Sequence, residues 1–202
     1  GFHFYSAVVP GGQGEGLPGP QFTRRRGLDR SGPPPYDAAQ LWAILSSLAE
    51  AGIESLRLPP DFNFIGPMAC EKCKRLVEVD LMCTDIIAIW GSTFSYCAAL
   101  VDVWLPPKLR RIGKETFLCC ASLREVKIPP RLHYLANRAF CGCEQLTQFV
   151  KLDDTATWRG LYAENNAFLM CDKFTRPSWI KLLPPRDADS DAFDEELHKG
   201  LR

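Results

Sequence analysis

The chain has 202 residues, of which 46% are hydrophobic and 24% are charged, a composition typical of a folded globular protein and not of a disordered one. Lys plus Arg and Asp plus Glu both number 24, so the formal net charge is zero and no overall positive field favours nucleic acid or an anionic membrane as a partner. No apolar run reaches the roughly 18 residues of a membrane-spanning helix, so no membrane span is expected.

Residues 1–36 contain eight glycines and six prolines, which predicts a flexible arm or the tail of a preceding domain. Gly1 stands where an initiator Met is expected, which suggests a fragment or a processed product. The segment 14–19 matches the letters of a dinucleotide-binding fingerprint, but Pro20 leaves no helix N-terminus to hold a pyrophosphate, so no cofactor is expected. The basic run 24–26 contains too few charges to hold nucleic acid alone.

Residues 37–51 change character and have the pattern of one amphipathic helix. Asp37 is a suitable N-cap, and Gly52 is a suitable end. The apolar face of this helix consists of Leu41, Ile44, Leu45 and Leu48. We expect the helix to cap the structure that follows it.

The middle of the chain repeats with a period near 23 residues. Seven apolar positions keep their register over four successive units, which is the signature of a stacked repeat protein. One of these columns is Ile65, Ile89, Ile112 and Leu135, with steps of 24, 23 and 23 residues. Five residues further on, a second column consists of Cys70, Phe94, Phe117 and Phe140, and three residues after that a third consists of Cys73, Cys97, Cys120 and Cys143.

One unit can be interpreted residue by residue. Residues 123–128 predict a short strand with Val126 and Ile128 inward and Glu125 and Lys127 outward. Two prolines end this strand because proline cannot donate to a ladder. A second extended stretch over 132–135 returns along the other side, and the following turn inserts the Phe and Cys columns between the two sides.

The last unit is irregular. Phe168, Cys171 and Phe174 keep the spacing, but Cys171 follows Cys143 by 28 residues, so an insertion is expected near 153–160. The predicted organisation is a flexible arm over 1–36, a solenoid over 37–185 and an acidic tail over 186–202. The tail begins like a calcium loop at Asp187, but it lacks the glycine and the bidentate glutamate of such a loop.

The unit at 105–128 closely resembles the BspA-like leucine-rich repeat, which reads strand, Pro, Ile-Gly, Ala-Phe, Cys and Leu. The unit at 128–152 matches nearly as well. Two departures are Cys70, where Phe is usual, and residues 150–152, where the strand register is expected to slip by one. The resemblance implies a right-handed solenoid. Together with the residue patterns, it predicts an α/β repeat of short parallel strands with turn or short-helix connections and an N-terminal capping helix. It implies protein recognition and brings no catalytic residues.

Five of the nine cysteines occupy one column, which favours buried thiols that pack as small hydrophobes. Disulfides between neighbouring units and a zinc site are the alternatives. The zinc ligands would be Cys70, Cys73 and Cys97, or Cys119 and Cys120 with Cys141, Cys143 and His133. A column sends one thiol per unit into a line, whereas structural zinc needs four convergent ligands, so no metal is expected.

Outward residues are the candidates for binding. Stacked strands lie about 4.8 Å apart, so a repeated acid forms a like-charge ladder that is mildly destabilising. An exposed tryptophan beside it would be a typical interface residue; the alternative is a solvated face with the tryptophan folded over its neighbours. The candidate partner-binding residues are Glu78, Asp80, Asp102, Trp104, Glu125 and Lys127. A basic patch on the opposite side either binds an acidic partner or maintains solubility, and consists of Lys108, Arg110, Arg111, Lys114, Arg131 and Arg138.

The sequence therefore predicts a non-catalytic protein–protein interaction module, without cofactor or metal, for a protein partner that the sequence does not identify. It does not specify an oligomeric state. The alternative is a regulatory or targeting segment of a larger multidomain enzyme. Reduced thiols favour a cytoplasmic location, with the cell surface as the alternative.

Overall fold

The computed structural model describes residues 52–58, 60, 62–152 and 160–183. This part of the chain is a solenoid of about five turns built from short parallel strands. The predicted arm, capping helix and acidic tail lie outside the described residues. The strands are β1 (Ser55–Arg57), β2 (Glu78–Asp80), β3 (Ala88–Ile89), β4 (Asp102–Trp104), β5 (Arg111–Ile112), β6 (Glu125–Ile128), β7 (Tyr134–Leu135), β8 (Gln148–Lys151), β9 (Leu161–Ala163) and β10 (Ile180–Leu182).

The strands line two sides of the solenoid. The front side consists of a three-stranded sheet in the order β1-β2-β4 and a pair β6-β8, and the back sheet has the order β10-β9-β7-β5-β3. Every pairing is parallel, and its register follows the sequence repeat: Val79 pairs with Val103, and Ile89 with Ile112. The columns predicted from the sequence are therefore ladders of adjacent side chains.

The Phe column forms the centre of the core. Phe94, Phe117 and Phe140 are completely buried. Successive rings stack with centroids 5.5 and 5.1 Å apart, and Phe168 continues the stack 6.1 Å from Phe140. These distances lie in the range of favourable aromatic pairs. The prediction that equivalent residues lie over one another in the interior is confirmed.

The turns that contain the Phe column form a third hydrogen-bonded side. The amide of Phe94 donates to the carbonyl of Thr116 at 2.9 Å, and the amide of Phe117 donates to that of Ala139 at 2.8 Å. Each of these turns also contains residues in the left-handed region. They are Met68, Lys72, Ser92, Tyr96, Glu115, Cys119, Arg138, Gly142 and Met170, with φ between 55° and 73°.

Of the two kinds of connection expected, turns or short helices, the described part of the chain contains the turns and no helix. An α-helix closes its hydrogen bonds within one segment, whereas these amides donate to the next coil. Left-handed residues also cannot belong to a right-handed helix. The described part of the chain is thus built of strands and turns, and the predicted helix over 37–51 lies outside it.

The cysteine column is buried as predicted, with Cys120 and Cys143 fully inaccessible. Its thiols bridge successive coils: Cys120 Sγ donates to the carbonyl of Phe94 and Cys143 Sγ to that of Phe117, both at 3.2 Å. Burial raises the pKa of the Cys120 thiol, because the thiolate would lose its hydration. A small apolar residue that also donates a weak hydrogen bond suits this position better than Ala or Val.

Gly113 explains the Ile-Gly step of the repeat. A Cβ at this position would lie 2.8 Å from the amide nitrogen of Gly91 and 2.9 Å from the carbonyl oxygen of Ile89. The backbones of two coils approach too closely here to leave room for a side chain. Glycine is therefore required because a Cβ would collide with the neighbouring backbone, and not because φ is left-handed.

The expected register slip at residues 150–152 is wrong. β8 pairs with β6 in unbroken register, which places Lys151 opposite Ile128 and leaves Leu152 47% exposed. The Lys151 ammonium lies 5.2 Å from the ring centre of Trp179. A lysine replaces an aliphatic residue here because its long stem covers apolar surface while its charge lies over an aromatic ring.

Candidate functional site

The outward side of the front strands displays all six candidate residues. The middle residues of β2, β4 and β6 are the buried valines Val79, Val103 and Val126. Because successive side chains of a strand point to opposite faces, the flanking positions face outward. These positions are Glu78, Asp80, Asp102, Trp104, Glu125 and Lys127.

Glu78 and Asp102 form a pair of adjacent acids. They are register partners on β2 and β4, and both are exposed. Among the described residues, neither carboxylate forms an ion pair. Strand neighbours lie about 4.8 Å apart, and like charges directly opposite each other are destabilising. A cationic group from outside would relieve this repulsion.

Asp80 is held from both sides. The Arg57 Nε lies 3.2 Å from Asp80 Oδ2, and the amide of Met82 donates to Asp80 Oδ1 at 2.9 Å. Arg57, on β1, was not among the predicted site residues. Its position 23 residues before Asp80 was the signal that could have identified it.

Trp104 is the register partner of Asp80 and adjoins the acid pair along β4. Its side chain is half-buried, which lies between the exposed aromatic expected from the sequence and the alternative of a tryptophan folded over its neighbours. A half-buried tryptophan offers apolar contact area to a partner. Because its side chain is already held by the sheet, it loses little conformational entropy on binding.

Glu125 and Lys127 lie on β6, which belongs to the separate pair β6-β8. Gln148 Nε2 donates to Glu125 Oε2 at 2.6 Å, so a neutral amide, and not a base, is the partner of the third acid. Lys127 is exposed opposite Val150. The structure thus places four candidate residues in one hydrogen-bonded sheet and these two on the neighbouring pair.

The sequence also offered disulfides and a zinc site as alternatives. All nine cysteines lie in the described part of the chain and are free thiols. Residues 52–58, 60, 62–152 and 160–183 contain no group of three or more His, Cys, Asp or Glu side chains arranged to hold a metal ion. Over the same ranges, no helix has the length and apolar character needed to cross a bilayer.

Solved structures similar to this chain are bacterial repeat proteins. A leucine-rich repeat protein from Bacteroides ovatus is 25% identical with a TM-score of 0.49; the match covers 66% of this chain and 38% of that one. A leucine rich cell surface protein from Faecalibacterium prausnitzii is 21% identical with a TM-score of 0.49, covering 66% and 33%. A leucine-rich repeat protein from T. pallidum is 19% identical with a TM-score of 0.46, covering 72% and 82%.

The match spans about a third of the length of the first two of these proteins. No curated protein matches the sequence. The family described as BspA type Leucine rich repeat region (6 copies) matches residues 46–175, which is more than half of the chain and includes β1 to β9. The chain therefore belongs to the BspA-type leucine-rich repeat family.

Proposed function

We propose that this chain is a non-catalytic recognition module whose protein partner binds the outward side of the front strands. Repeats of this family generally serve as protein-interaction modules. The observation that supports this particular surface is the exposed acid pair Glu78 and Asp102, which lacks an ion-pair partner among the described residues, beside the half-buried Trp104.

The surface is suited to binding because it is preorganised. Glu78 lies on β2, which pairs with β1 on one side and with β4 on the other, and Asp102 and Trp104 lie on β4. Asp80 is fixed by Arg57 and by the amide of Met82. Binding to an already ordered surface loses little conformational entropy, so more of the contact energy contributes to affinity.

The chemistry of the surface defines the kind of partner. Two carboxylates one strand apart favour a lysine or an arginine, and an arginine forms the stronger, bidentate contacts. Trp104 favours an apolar or aromatic group beside that cation, because tryptophan is enriched among residues that dominate binding energy. The proposed partner segment therefore combines a basic residue with an adjacent apolar one.

The test is a binding experiment with Trp104→Ala. Proteins captured from source-cell lysate by the immobilised chain are identified, and the affinity of a captured protein is then measured by titration. We expect at least about a tenfold loss of affinity in a variant that circular dichroism shows to be folded. Tyr96→Ala is the control, because Tyr96 is 45% exposed in a turn away from the front strands.

A double variant, Glu78→Gln with Asp102→Asn, tests the charge. Its affinity should fall and lose most of its salt dependence, because exposed charge pairs are screened by ions. Asp172→Asn with Glu144→Gln removes two exposed acids from the turns and should leave binding intact. Unchanged affinity in both front-side variants would contradict the proposal. The alternative role as a segment of a larger enzyme and the cytoplasmic location stay predictions.

A further inference from the structure

The back sheet has the opposite charge to the front. Arg110, Arg131, His133 and Lys181 are exposed, and none of them forms an ion pair with a described residue. Lys181 lies on β10, Arg110 and His133 lie directly before β5 and β7, and Arg131 lies in the turn that leads to β7. The three strands belong to one sheet. With Tyr162 on β9, which is 37% exposed, they form a surface that we name the basic strip.

The basic strip differs from the basic patch expected from the sequence, because three of the predicted bases have partners inside the protein. Lys108 Nζ lies 2.8 Å from Asp85 Oδ1, and Arg138 Nη1 lies 3.1 Å from Glu115 Oε1. Arg111 is only 7% exposed, with its guanidinium 5.1 Å from the ring centre of Tyr134. Arg110 and Arg131 keep their charges accessible.

Backbone hydrogen bonds fix the order of the strip. The amide of His133 donates to the carbonyl of Arg110 at 3.1 Å, and the amide of Tyr162 donates to that of His133 at 2.9 Å. Lys181 is the register partner of Tyr162, with its ammonium 5.7 Å from the ring centre. Arg110 and His133 are therefore neighbours directly before β5 and β7. Tyr162 and Lys181 are neighbours on β9 and β10, one register position further along, because Tyr162 pairs with Tyr134. Successive strands lie about 4.8 Å apart.

The described acids near the strip have other partners. Glu164, directly after β9, accepts a hydrogen bond from the Tyr134 hydroxyl, and Asp85 and Glu115 are paired with Lys108 and Arg138. Within residues 52–58, 60, 62–152 and 160–183, no acid forms an ion pair with a base of the strip.

We infer that the basic strip binds an extended acidic segment of a partner protein lying along the solenoid axis, across β5, β7, β9 and β10. Charge complementarity supports this occupant, because carboxylates of an extended segment can reach Arg110 beside β5, Arg131 near β7 and Lys181 on β10. Arg110 and Arg131 offer planar donors that match a carboxylate in pairs. Tyr162 offers an aromatic surface within the row, and arginine and tyrosine are both enriched at protein interfaces.

The test uses a fluorescein-labelled peptide of twelve glutamates and the full chain, followed by fluorescence anisotropy. The peptide should bind, and raising the salt concentration from 50 to about 300 mM should weaken binding at least tenfold because the contacts are exposed. Arg110→Glu with Arg131→Glu should lower the affinity by about tenfold or more, since two attractive contacts become repulsive.

The matched control is Lys74→Glu with Lys173→Glu, which makes the same change of charge at exposed positions away from the back sheet. Thermal unfolding checks that every variant is folded. Equal loss of affinity in both double variants would overturn the proposal, because it would show attraction to overall charge alone. The front-side variant Glu78→Gln with Asp102→Asn should keep full affinity for the peptide, so this test is separate from that of the proposed function.

The acidic residues 186–202 of the chain itself are the competing occupant. A full-length variant in which Asp187, Asp189, Asp191, Asp194, Glu195 and Glu196 become amides addresses this. An affinity for the glutamate peptide within about threefold of the parent chain supports a partner protein as the occupant. A rise of tenfold or more would overturn that assignment, because the strip would then be covered by the chain's own acids.

Discussion

Two columns of equivalent residues run along this solenoid with the same spacing and opposite energetic effects. The interior column of Phe94, Phe117 and Phe140 stacks one apolar ring on the next. The exterior column places Glu78 directly opposite Asp102. Repetition inside adds favourable contacts at every coil, whereas repetition of a charge outside adds repulsion at every coil.

The comparison separates the residue types that the fold requires, at inward positions, from those that it only tolerates, at outward positions. Nothing in the stacking of coils requires an acid at the outward positions, and Gln148 occupies the same column without disturbing the β6-β8 pairing. An arrangement that costs stability and serves no packing role supports a recognition role for the front side. Substitutions in the interior column should therefore change the free energy of unfolding more than substitutions in the exterior column.

Phe117→Ala is expected to have the largest effect. The variant leaves a cavity between two stacked rings and should lower the free energy of unfolding by about 3–5 kcal/mol. Urea denaturation followed by circular dichroism measures this loss. Tyr96→Ala, which removes a ring that is 45% exposed, should change stability by about 0.5 kcal/mol or less. A loss below about 1 kcal/mol at Phe117 would mean that the interior column does not stabilise the stack.

Cys120→Ala is expected to cost roughly 1–2 kcal/mol, because it removes a buried sulfur and its hydrogen bond to the carbonyl of Phe94. Cys83→Ala is the matched control, since Cys83 is exposed, and should be nearly neutral.

Thiol alkylation gives an independent measurement on the same pair. The thiolate is the reactive form, and the raised pKa of Cys120 leaves less thiolate at neutral pH. Native protein should therefore react at Cys83 and leave Cys120 unmodified until the chain is denatured. Rapid labelling of Cys120 in folded protein would show that the column is open to solvent.

Asp102→Asn is expected to have the smallest effect, with the opposite sign. Removing one of two adjacent charges should stabilise the protein by up to about 0.5 kcal/mol at low ionic strength, and the gain should disappear in high salt. Asp172→Asn, at an exposed position in a turn, should produce no such gain. Destabilisation by Asp102→Asn would mean that the carboxylate makes a favourable contact in the fold.

The interior could be predicted from the sequence because packing selects side chains. A position that faces the core admits few residue types, so Phe and Cys recur at 23-residue intervals and reveal the columns. The turns could not be predicted in the same way. Their left-handed positions hold Tyr96, Glu115 and Arg138, which have no common side-chain property because the backbone, and not the side chain, makes the contacts between coils.

The candidate site was predictable as a set of positions but not as a set of interactions. The strand pattern placed Glu78, Asp102 and Trp104 outward, and the register confirms that placement. The pairing of Asp80 with Arg57 and of Glu125 with Gln148 depends on side-chain conformations. A long polar side chain can form a hydrogen bond or ion pair with any of several neighbours, so the spacing in the sequence alone does not determine its partner.

The sequence by itself determined the repeat length, the identity of the buried columns and the alternation of inward and outward residues, because each follows from periodic burial. Only the tertiary structure decided that the coils are joined by hydrogen-bonded turns, that Lys151 occupies the place of an aliphatic residue, and which surface charges are left without an internal partner. The reason is that burial is a property of each position in the chain, whereas contacts between coils arise only when residues more than twenty positions apart are brought together.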